Sequence, residues 1–243
     1  MRALRPWWEA GLALAALLAF LLSDNWHHAL MLAIWPEYRA DLPYPGGSMW
    51  QLTWRTTVLV VIATLSATAL ALVMGILATR PRFAAELAPL FRALANSAQA
   101  VPALAVLALA LPLLGFGAIP TIIALVLYGL LPLLTAVING IASVAPAQKE
   151  AGMGMGMSQL QLLLWVELPE ARRAILAGVR TAAVLMTSTA VLGGLVGAGG
   201  LGEPIIQGLQ LRIPPWIWFG AVPTALLALT LDFVLSRLER IWN

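Results

Sequence analysis

Long runs of apolar residues, separated by short stretches that carry most of the charge, constrain this chain more than any other feature. From residue 50 to residue 79 the only charged side chain is that of Arg55. Charged residues make up 10% of the whole chain, whereas a soluble domain needs roughly a quarter of its residues charged to cover its surface. Most of the surface of this chain must therefore face lipid.

The apolar runs predict an all-α membrane protein with about six spanning helices, because each run approaches the ~20 residues that a span needs. Five predicted spans lie in residues 50–243, at about 50–79, 89–114, 121–144, 174–196 and 216–238. In the span at 89–114, the third of the six, Arg92, Asn96 and Gln99 fall in the first turns. Pro102 is expected inside that span, where neighbours or water must replace the backbone hydrogen bond that proline removes.

Residues 1–49 are predicted to form a separate part, a first span followed by a connector outside the membrane. Arg2 and Arg5 precede the apolar run Ala10–Leu22, which is short for a span. A cleaved signal peptide has the same outline, but Leu21-Leu22-Ser23-Asp24 lacks the small residues of a cleavage site. A retained span is therefore the favoured interpretation, and residues 24–47 are expected to be a polar connector.

Six spans place both termini on one side of the membrane, and the basic residues indicate which side. The side richer in arginine and lysine faces the cytoplasm. One predicted side carries Arg2, Arg5, Arg80, Arg82, Lys149, Arg172, Arg173, Arg237 and Arg240, and the other carries Arg39, Arg55 and Arg212. None of the ten tryptophans falls at a predicted span centre, as expected of rings that prefer the interfaces. We expect both termini to be cytoplasmic.

Motifs for catalysis, metals and nucleic acid are incomplete or absent. Gly197–Gly202 spells G-x-G-x-x-G, but an apolar span stands where the dinucleotide motif needs a strand. Lys149 is followed by Glu150, where a P-loop needs serine or threonine. The chain has no cysteine and no basic run with interleaved aromatics of the kind that binds nucleic acid. The neighbouring His27 and His28 are interpreted as ordinary solvated histidines in preference to a metal site. We therefore predict no catalytic residue and no metal site.

The connection between the fourth and fifth spans, about residues 146–170, is more than a turn. Pro146 suits the first turn of a short helix, and Glu150 lies near the positive end of its dipole. Gly152 and Gly156 are expected on one face of that helix. Three glycines in one short helix cost about 1 kcal/mol each relative to alanine, and a close contact with another surface would explain that cost.

The second half of this connection is expected to lie against the bundle and to stop at a proline. An apolar stripe there consists of Leu160, Leu163, Leu164 and Trp165. Pro169 is predicted to end the element, because the residue before a proline is pushed out of helical geometry. An amphipathic interfacial helix without any partner stays open as the alternative interpretation.

The same residues carry a resemblance to a known family. Glu150-Ala151-Gly152, three residues, Gly156, nine residues and Val166-Glu167-Leu168-Pro169 are similar to the EAA loop of ABC-importer permeases. The family pattern is Glu-Ala-Ala, three residues, Gly, nine residues, Ile-x-Leu-Pro, so the departures are Gly152 and Val166. In that family the loop forms coupling helices that sit in a groove of the ATPase subunit. The resemblance implies this role for Glu150, Ala151, Gly152, Gly154, Gly156, Leu168 and Pro169.

The resemblance extends over about 190 residues, from Trp50 to the C-terminus, and it favours the osmoprotectant branch of the family. Permeases of that branch serve glycine betaine, choline, carnitine and related quaternary amines. The segments that resemble the branch are 101–105, 111–117, 150–157, 166–169, 175–182 and 196–201. Methionine-type permeases share much of the glycine-rich region and are the alternative.

What the resemblance implies is a type I ABC importer fold and a translocation subunit that is not itself an enzyme. Such permeases work in pairs, as homodimers or heterodimers, with two ATPase subunits inside and a solute-binding protein outside. ATP and magnesium would be held by the ATPase subunits, and this chain would hold no cofactor. The expected location is the inner membrane of a bacterial cell.

Possible gate or pathway residues are Pro102, Arg180, Gly197, Gly199, Gly200 and Gly202. Arg180 could be a gate or a counter-charge, although a side chain that snorkels to the inner interface is the favoured interpretation. Gly197–Pro215 is expected to re-enter or cap the outer mouth, with a passive outer loop as the alternative.

Two other classes of membrane protein stay open. A secondary transporter would need ionisable groups near the midplane, and Asp232 is the only candidate for such a group. A membrane anchoring or assembly protein without transport activity is the second class.

Overall fold

A computed structural model describes residues 11–12, 14–15, 24–80, 89–91, 93 and 102–241, with the backbone alone for 24–28, 240 and 241. This part of the chain is helical and contains no strand. Its α-helices, labelled in order, are α1 (Asp24–Ile34), α2 (Met49–Thr79), α3 (Ala103–Leu114), α4 (Ala118–Ala142), α5 (Pro146–Gly154), α6 (Gln159–Leu162), α7 (Leu168–Thr189), α8 (Gly202–Leu211) and α9 (Pro214–Ile241). Two 3₁₀ segments, Pro36–Asp41 and Ala190–Val196, and a π-helical segment, Leu163–Glu167, complete it.

Four helices are long and apolar enough to cross a membrane, namely Met49–Thr79, Ala118–Ala142, Gln159–Val196 and Pro214–Glu239. Their positions coincide with those of four of the predicted spans, although the helix at the predicted span 174–196 begins much earlier, at Gln159. The first predicted span lies mostly outside the described residues, and so do Arg92, Asn96 and Gln99 of the third.

Contrary to the expectation from sequence, Pro102 does not lie inside a helix. It has extended backbone angles, φ −56° and ψ 136°, and stands at the N-cap of α3. A proline is well tolerated at the edge of a helix, because the first amide groups have no intrahelical acceptor there. The proline inside α3 is instead Pro112.

The centre of the bundle is formed by α2, α4 and α7, which share one buried cluster. On α2, the side chains of Ala63, Ala67 and Ala71 are fully buried. Gly75 lies so close to α4 that an added Cβ would be 2.5 Å from Cγ1 of Val137. Small residues allow backbones to approach closely in lipid, where burial of apolar side chains gives helices little reason to associate.

Residues 24–47 contain more structure than a polar connector implies. The helix α1 ends at Ile34 and is followed by the 3₁₀ segment Pro36–Asp41. The loop after it packs on the start of α9, where the ring centroids of Tyr44 and Trp216 lie 5.1 Å apart. Trp216 Nε1 also donates a hydrogen bond to the backbone oxygen of Asp41 at 2.8 Å. These contacts fix the connector against the end of the bundle where α2 and α9 begin.

Pro169 does not end the coupling segment, contrary to the expectation from sequence. Leu168 is helical, with φ −67° and ψ −42°, and its N–H bonds to the carbonyl of Leu163 in a π turn. An α-helical proline collides with the carbonyl four residues before it, and the wider π turn gives that carbonyl room. The helix therefore continues through Pro169 into α7, and the predicted boundary at residue 174 is wrong.

Gly197–Pro215 is a packed segment in which a turn leads into α8. Gly202, the first residue of α8, lies against the backbone of Val191 with no room for a side chain. An added Cβ on Gly220 of α9 would come within 2.5 Å of the backbone oxygen of Leu201. A passive loop is therefore wrong for residues 202–211, whereas the role of the segment as a cap of the outer mouth stays a prediction.

Candidate functional site

The coupling segment presents an exposed surface at one end of the bundle. Glu150, Ala151, Met153, Gly154, Met155 and Gly156 are all exposed, and we call these residues the coupling surface. Met155 is 71% exposed and Met153 48%, which is unusual for large apolar side chains unless something covers them. Methionine side chains adapt to irregular partner surfaces. The surface is therefore suited to contact with another protein.

Gly156 does not share a helix face with Gly152, because α5 ends at Gly154. Gly156 has a φ of +80°, in the left-handed region that side chains with a Cβ rarely adopt. Its N–H bonds to the carbonyl of Met153 at 2.9 Å. The expectation of three glycines in one short helix is thus wrong, since the last glycine makes the turn after the helix.

Gly152 has the close contact that the sequence analysis expected, but its neighbour belongs to this chain. The residue is buried, and an added Cβ would lie 2.8 Å from Cδ1 of Leu162. The helix that carries Leu162 starts with a capping box, in which Ser158 Oγ accepts from Gln161 N at 3.3 Å. Gly152 therefore allows α5 to pack on α6. Gly154 has nothing within 4 Å of an added Cβ and is open towards the outside.

The apolar stripe predicted to lie against the bundle does so at one position only. Leu163 is 7% exposed, but Leu160, Leu164 and Trp165 are 64%, 49% and 74% exposed. The π turn at Leu163–Glu167 shifts the helical register, so residues that an α-helical pattern would align point in different directions. The expected packing is wrong for these three side chains.

A buried carboxylate joins the coupling segment to the bundle. The side chain of Glu167 is 6% exposed, and its Oε2 accepts from Nη2 of Arg80 at 2.5 Å. Its Oε1 lies 3.3 Å from Nζ of Lys149, which also donates to the backbone oxygen of Ile141 at 3.3 Å. Arg80 caps the end of α2, Lys149 belongs to α5 and Glu167 to the π segment. Three elements are thus held by one carboxylate.

Sequence reasoning missed Glu167 because the family pattern leaves its position open. A signal was present, since this acid stands alone in the apolar run Leu160–Pro169. A lone charge in such a run is costly unless it is paired. Its partner Arg80 lies 87 positions away, and spacing in one sequence does not reveal so distant a contact.

Arg180 lies between the coupling end and the middle of the bundle and has an acidic partner. Its Nε and Nη2 donate to the two carboxylate oxygens of Asp232 on α9, at 2.6 and 2.9 Å. Glu239 is farther away, at 3.8 Å from Nη1. The snorkelling interpretation did not include this ion pair, and it stays a prediction. A role of Arg180 as a gate stays a prediction.

The predicted pathway glycines meet α2 at the other end of the bundle. Gly199 and Gly200 have φ values of +76° and +80° and are buried. The N–H of Leu201 donates to Oγ1 of Thr56 at 2.8 Å, and an added Cβ on Gly200 would lie 2.5 Å from the same oxygen. Glycine is required here because the turn both adopts left-handed angles and touches the helix.

The structure therefore divides the predicted site residues between two ends of the bundle. Glu150, Ala151, Gly152, Gly154, Gly156, Leu168 and Pro169 belong to the coupling end, and Gly197, Gly199, Gly200 and Gly202 to the opposite end. Arg55 and Arg80 lie near the two ends of α2, about 37 Å apart along its axis at 1.5 Å per residue. An effect of one end on the other would have to pass along the packed helices between them.

Comparison with known families identifies most of this chain. Residues 71–243 match the family described as binding-protein-dependent transport system inner membrane component. The carnitine transport permease protein OpuCB of Listeria monocytogenes is 39% identical over 194 residues, which cover 80% of this chain and 88% of the relative. The choline transport system permease protein OpuBB of Bacillus subtilis is 37% identical, with the same two coverages. The osmoprotectant import permease protein OsmY of Salmonella typhimurium is 41% identical over 68% of this chain and 70% of its own.

Solved structures agree on the fold. A chain of the inward-facing MetNI methionine ABC transporter superposes with a TM-score of 0.71 at 21% identity, covering 80% of this chain and 96% of that one. An amino acid ABC transporter gives a TM-score of 0.63 at 20% identity, with coverages of 79% and 93%. The fold is thus that of the type I ABC importer permeases. Together with the match over residues 71–243, it follows that the chain belongs to the family of inner-membrane components of binding-protein-dependent transport systems.

Proposed function

We propose that this chain is the membrane subunit through which an ATP-driven importer carries quaternary-amine osmoprotectants into a bacterial cell. The observation that carries this proposal is the coupling surface, which is exposed on one side and tied to α2 and α7 through Glu167 on the other. A partner that moves the coupling surface would move the inner ends of those helices with it. Such mechanical linkage is what an importer requires if another subunit hydrolyses ATP.

The partners follow from the family and from the two ends of the bundle. ATPase subunits, which would hold ATP and magnesium, would bind at the coupling surface, and a solute-binding protein at the opposite end. A second permease subunit, identical or different, would complete the pathway. The basic residues Arg80 and Lys149 lie beside the coupling surface, which favours a cytoplasmic position for that end and for both termini.

The substrate class rests on the relatives. The names of the relatives refer to carnitine, choline and osmoprotectants, and their identities of 37–41% extend over at least two thirds of this chain. The methionine transporter shares the fold at 21% identity, which is too distant to indicate the cargo. Glycine betaine, choline and carnitine are thus the proposed solutes, and methionine is the alternative that the experiment must test.

The test is reconstitution of the whole importer in proteoliposomes. The chain is co-purified with its ATPase subunit, and uptake of radiolabelled glycine betaine, choline and methionine is measured with and without ATP and binding protein. We expect uptake of the two quaternary amines that depends on both ATP and the binding protein. Uptake that proceeds without ATP would contradict the importer mechanism, and ATP-driven uptake of methionine alone would contradict the substrate class.

A bulky substitution on the coupling surface tests the docking itself. Gly154→Trp places a large ring where an added Cβ meets nothing within 4 Å, so the fold is preserved and only a docked partner is obstructed. Gly156→Trp is unsuitable, because a φ of +80° would strain any side chain. The matched control is Gln210→Trp, on the exposed side of α8 at the opposite end. Loss of ATPase co-purification in Gly154→Trp alone supports the docking, and equal behaviour of the two variants refutes it.

A further inference from the structure

A cavity lies at the end of α2 opposite to the coupling surface. Its volume is ≈ 370 Å³, at the lower end of the range for sites that hold small molecules. The walls come from the first turns of α2, the start of α4, the turn at residues 197–201, which we call the glycine turn, and the first turn of α8. Gly197 and Gly199, two of the predicted pathway residues, line it, whereas Pro102 and Arg180 do not.

Three side chains of different chemistry face this cavity, namely Trp54, Arg55 and Glu203. Trp54 is 60% exposed, so its ring is open to a ligand. Among the described residues, no ion pair joins Arg55 or Glu203 to another side chain. Arg55 belongs to a membrane-spanning helix, where an ionisable residue is costly and generally serves a function.

The backbone around the cavity is fitted to α2 at these residues. An added Cβ on Gly199 would lie 3.2 Å from Nη1 of Arg55, so the guanidinium lies against the glycine turn. The next residue of α2, Thr56, accepts the hydrogen bond from the N–H of Leu201. The turn is thus fastened beside Arg55, and the cavity is a built feature of the packing between α2 and α8.

We propose that this cavity binds the transported solute directly, and that it is suited to a zwitterion with a quaternary ammonium at one end and a carboxylate at the other. The ammonium would lie on the ring of Trp54, the aromatic side chain with the strongest attraction for cations, beside the carboxylate of Glu203. The solute carboxylate would accept charge-assisted hydrogen bonds from Arg55, which can be bidentate. This inference rests on the proposed function, because it assigns a binding site to the same class of solutes.

In this arrangement, two solutes that share the ammonium group would contact different sets of side chains. Glycine betaine carries a carboxylate and would use all three side chains. Choline carries a hydroxyl group instead and would use Trp54 and Glu203 but gain little from Arg55. Removal of the guanidinium should therefore change the preference between the two solutes, which a purely structural role of Arg55 would not do.

The experiment compares uptake of both solutes by the complete importer in proteoliposomes, with loaded binding protein at saturation so that differences report the permease. Arg55→Gln should lower glycine betaine uptake about tenfold, the change expected from loss of a charge-assisted hydrogen bond, and leave choline uptake within about twofold. Trp54→Ala should lower uptake of both solutes. The matched controls are Arg39→Gln, an exposed arginine outside the cavity, and Trp50→Ala, one helical turn before Trp54 and 51% exposed.

Each outcome decides between the alternatives. An equal loss for both solutes in Arg55→Gln, or no loss for either, overturns the site, and so does a loss in Trp50→Ala as large as in Trp54→Ala. Arg55→Lys retains the charge and guards against misfolding, since it should recover part of the glycine betaine uptake without affecting choline uptake. If the unmodified importer carries neither solute, the proposed function fails instead, and the two failures are thereby distinguished.

Discussion

Arg80 and Glu167 lie 87 positions apart in the sequence and form a partly buried ion pair, with Nη2 and Oε2 2.5 Å apart. Arg80 is the capping residue directly after α2, and Glu167 lies just before α7 begins. Lys149 of the coupling segment reaches the other oxygen of the same carboxylate. The neighbouring ends of two spanning helices and the segment that would meet the ATPase are therefore joined through a single side chain.

Replacement of this carboxylate should loosen the connection without blocking the docking. Glu167→Gln retains the shape but leaves Arg80 and Lys149 without their acid, and a broken buried pair costs about 3–5 kcal/mol, less here because Arg80 and Lys149 are partly exposed. We expect a lower thermal unfolding temperature, and fewer solute molecules carried per ATP hydrolysed in proteoliposomes. The control is Glu170→Gln, an exposed acid three residues later. Unchanged transport per ATP would show that the carboxylate has no part in coupling.

The two exposed glycines of the coupling surface should respond to alanine in opposite ways. Gly154 is helical with free space around it, so Gly154→Ala should stabilise the protein by up to about 1 kcal/mol. Gly156 has a φ of +80°, and Gly156→Ala should destabilise it by about 1–2 kcal/mol. Thermal unfolding in detergent measures both changes. Shifts of the same sign in the two variants would contradict the turn described at Gly156.

The pair between Arg180 and Asp232 should appear as an energetic coupling between α7 and α9. Asp232→Asn leaves Arg180 with only the more distant Glu239, and Arg180→Gln leaves Asp232 without its basic partner, so both should lower the unfolding temperature. The double variant removes both charges of the pair and should be less destabilised than the sum of the two, by about 0.5–3 kcal/mol. Strictly additive effects would mean that the two side chains do not interact in the folded protein. Uptake by the double variant would then show whether the charges serve as a gate.

Tyr44 should make stability depend on pH in the alkaline range. Burial raises the pKa of its hydroxyl group from 10.0 to about 12, and the negative charge of Glu203 contributes to the same shift. The folded protein therefore disfavours the phenolate, and the contribution of Tyr44 is present in full below pH 10 and is lost as pH rises from 10 to about 12. Unfolding measured across this range tests the shift. Tyr44→Phe retains the packing on Trp216 and should lose this part of the pH dependence.

Hydropathy and charge predicted most of what the membrane imposes on the chain. The spans at Met49–Thr79, Ala118–Ala142 and Pro214–Glu239 were readable because a lipid-facing helix must be apolar along its whole length. The spacing from Glu150 to Pro169 singled out the segment between α4 and α7 as more than a turn, whereas its docking role stays a prediction.

The geometry of the coupling segment could not be read in the same way. Pro169 looked like the end of a helix because α-helical rules were applied to it, and the π turn before it has no recognised sequence pattern. The contacts of Glu167 with Arg80 and of Arg180 with Asp232 connect residues 87 and 52 positions apart. Such pairs depend on how helices meet in three dimensions, which the periodicity of one sequence does not determine.

The π-helical segment Leu163–Glu167 determines the direction in which the coupling surface faces relative to the spanning helices. A single residue of an α-helix accounts for a rotation of about 100° around the helix axis. Loss of one residue from this segment would let the chain run on as an ordinary α-helix and would swing α5 by about that angle. Lys149 would then face away from Glu167. The extra residue thus fixes the rotation of α5 about the helix axis. A change at this one position could match a permease of this kind to the orientation of its ATPase subunit without any change in the spans.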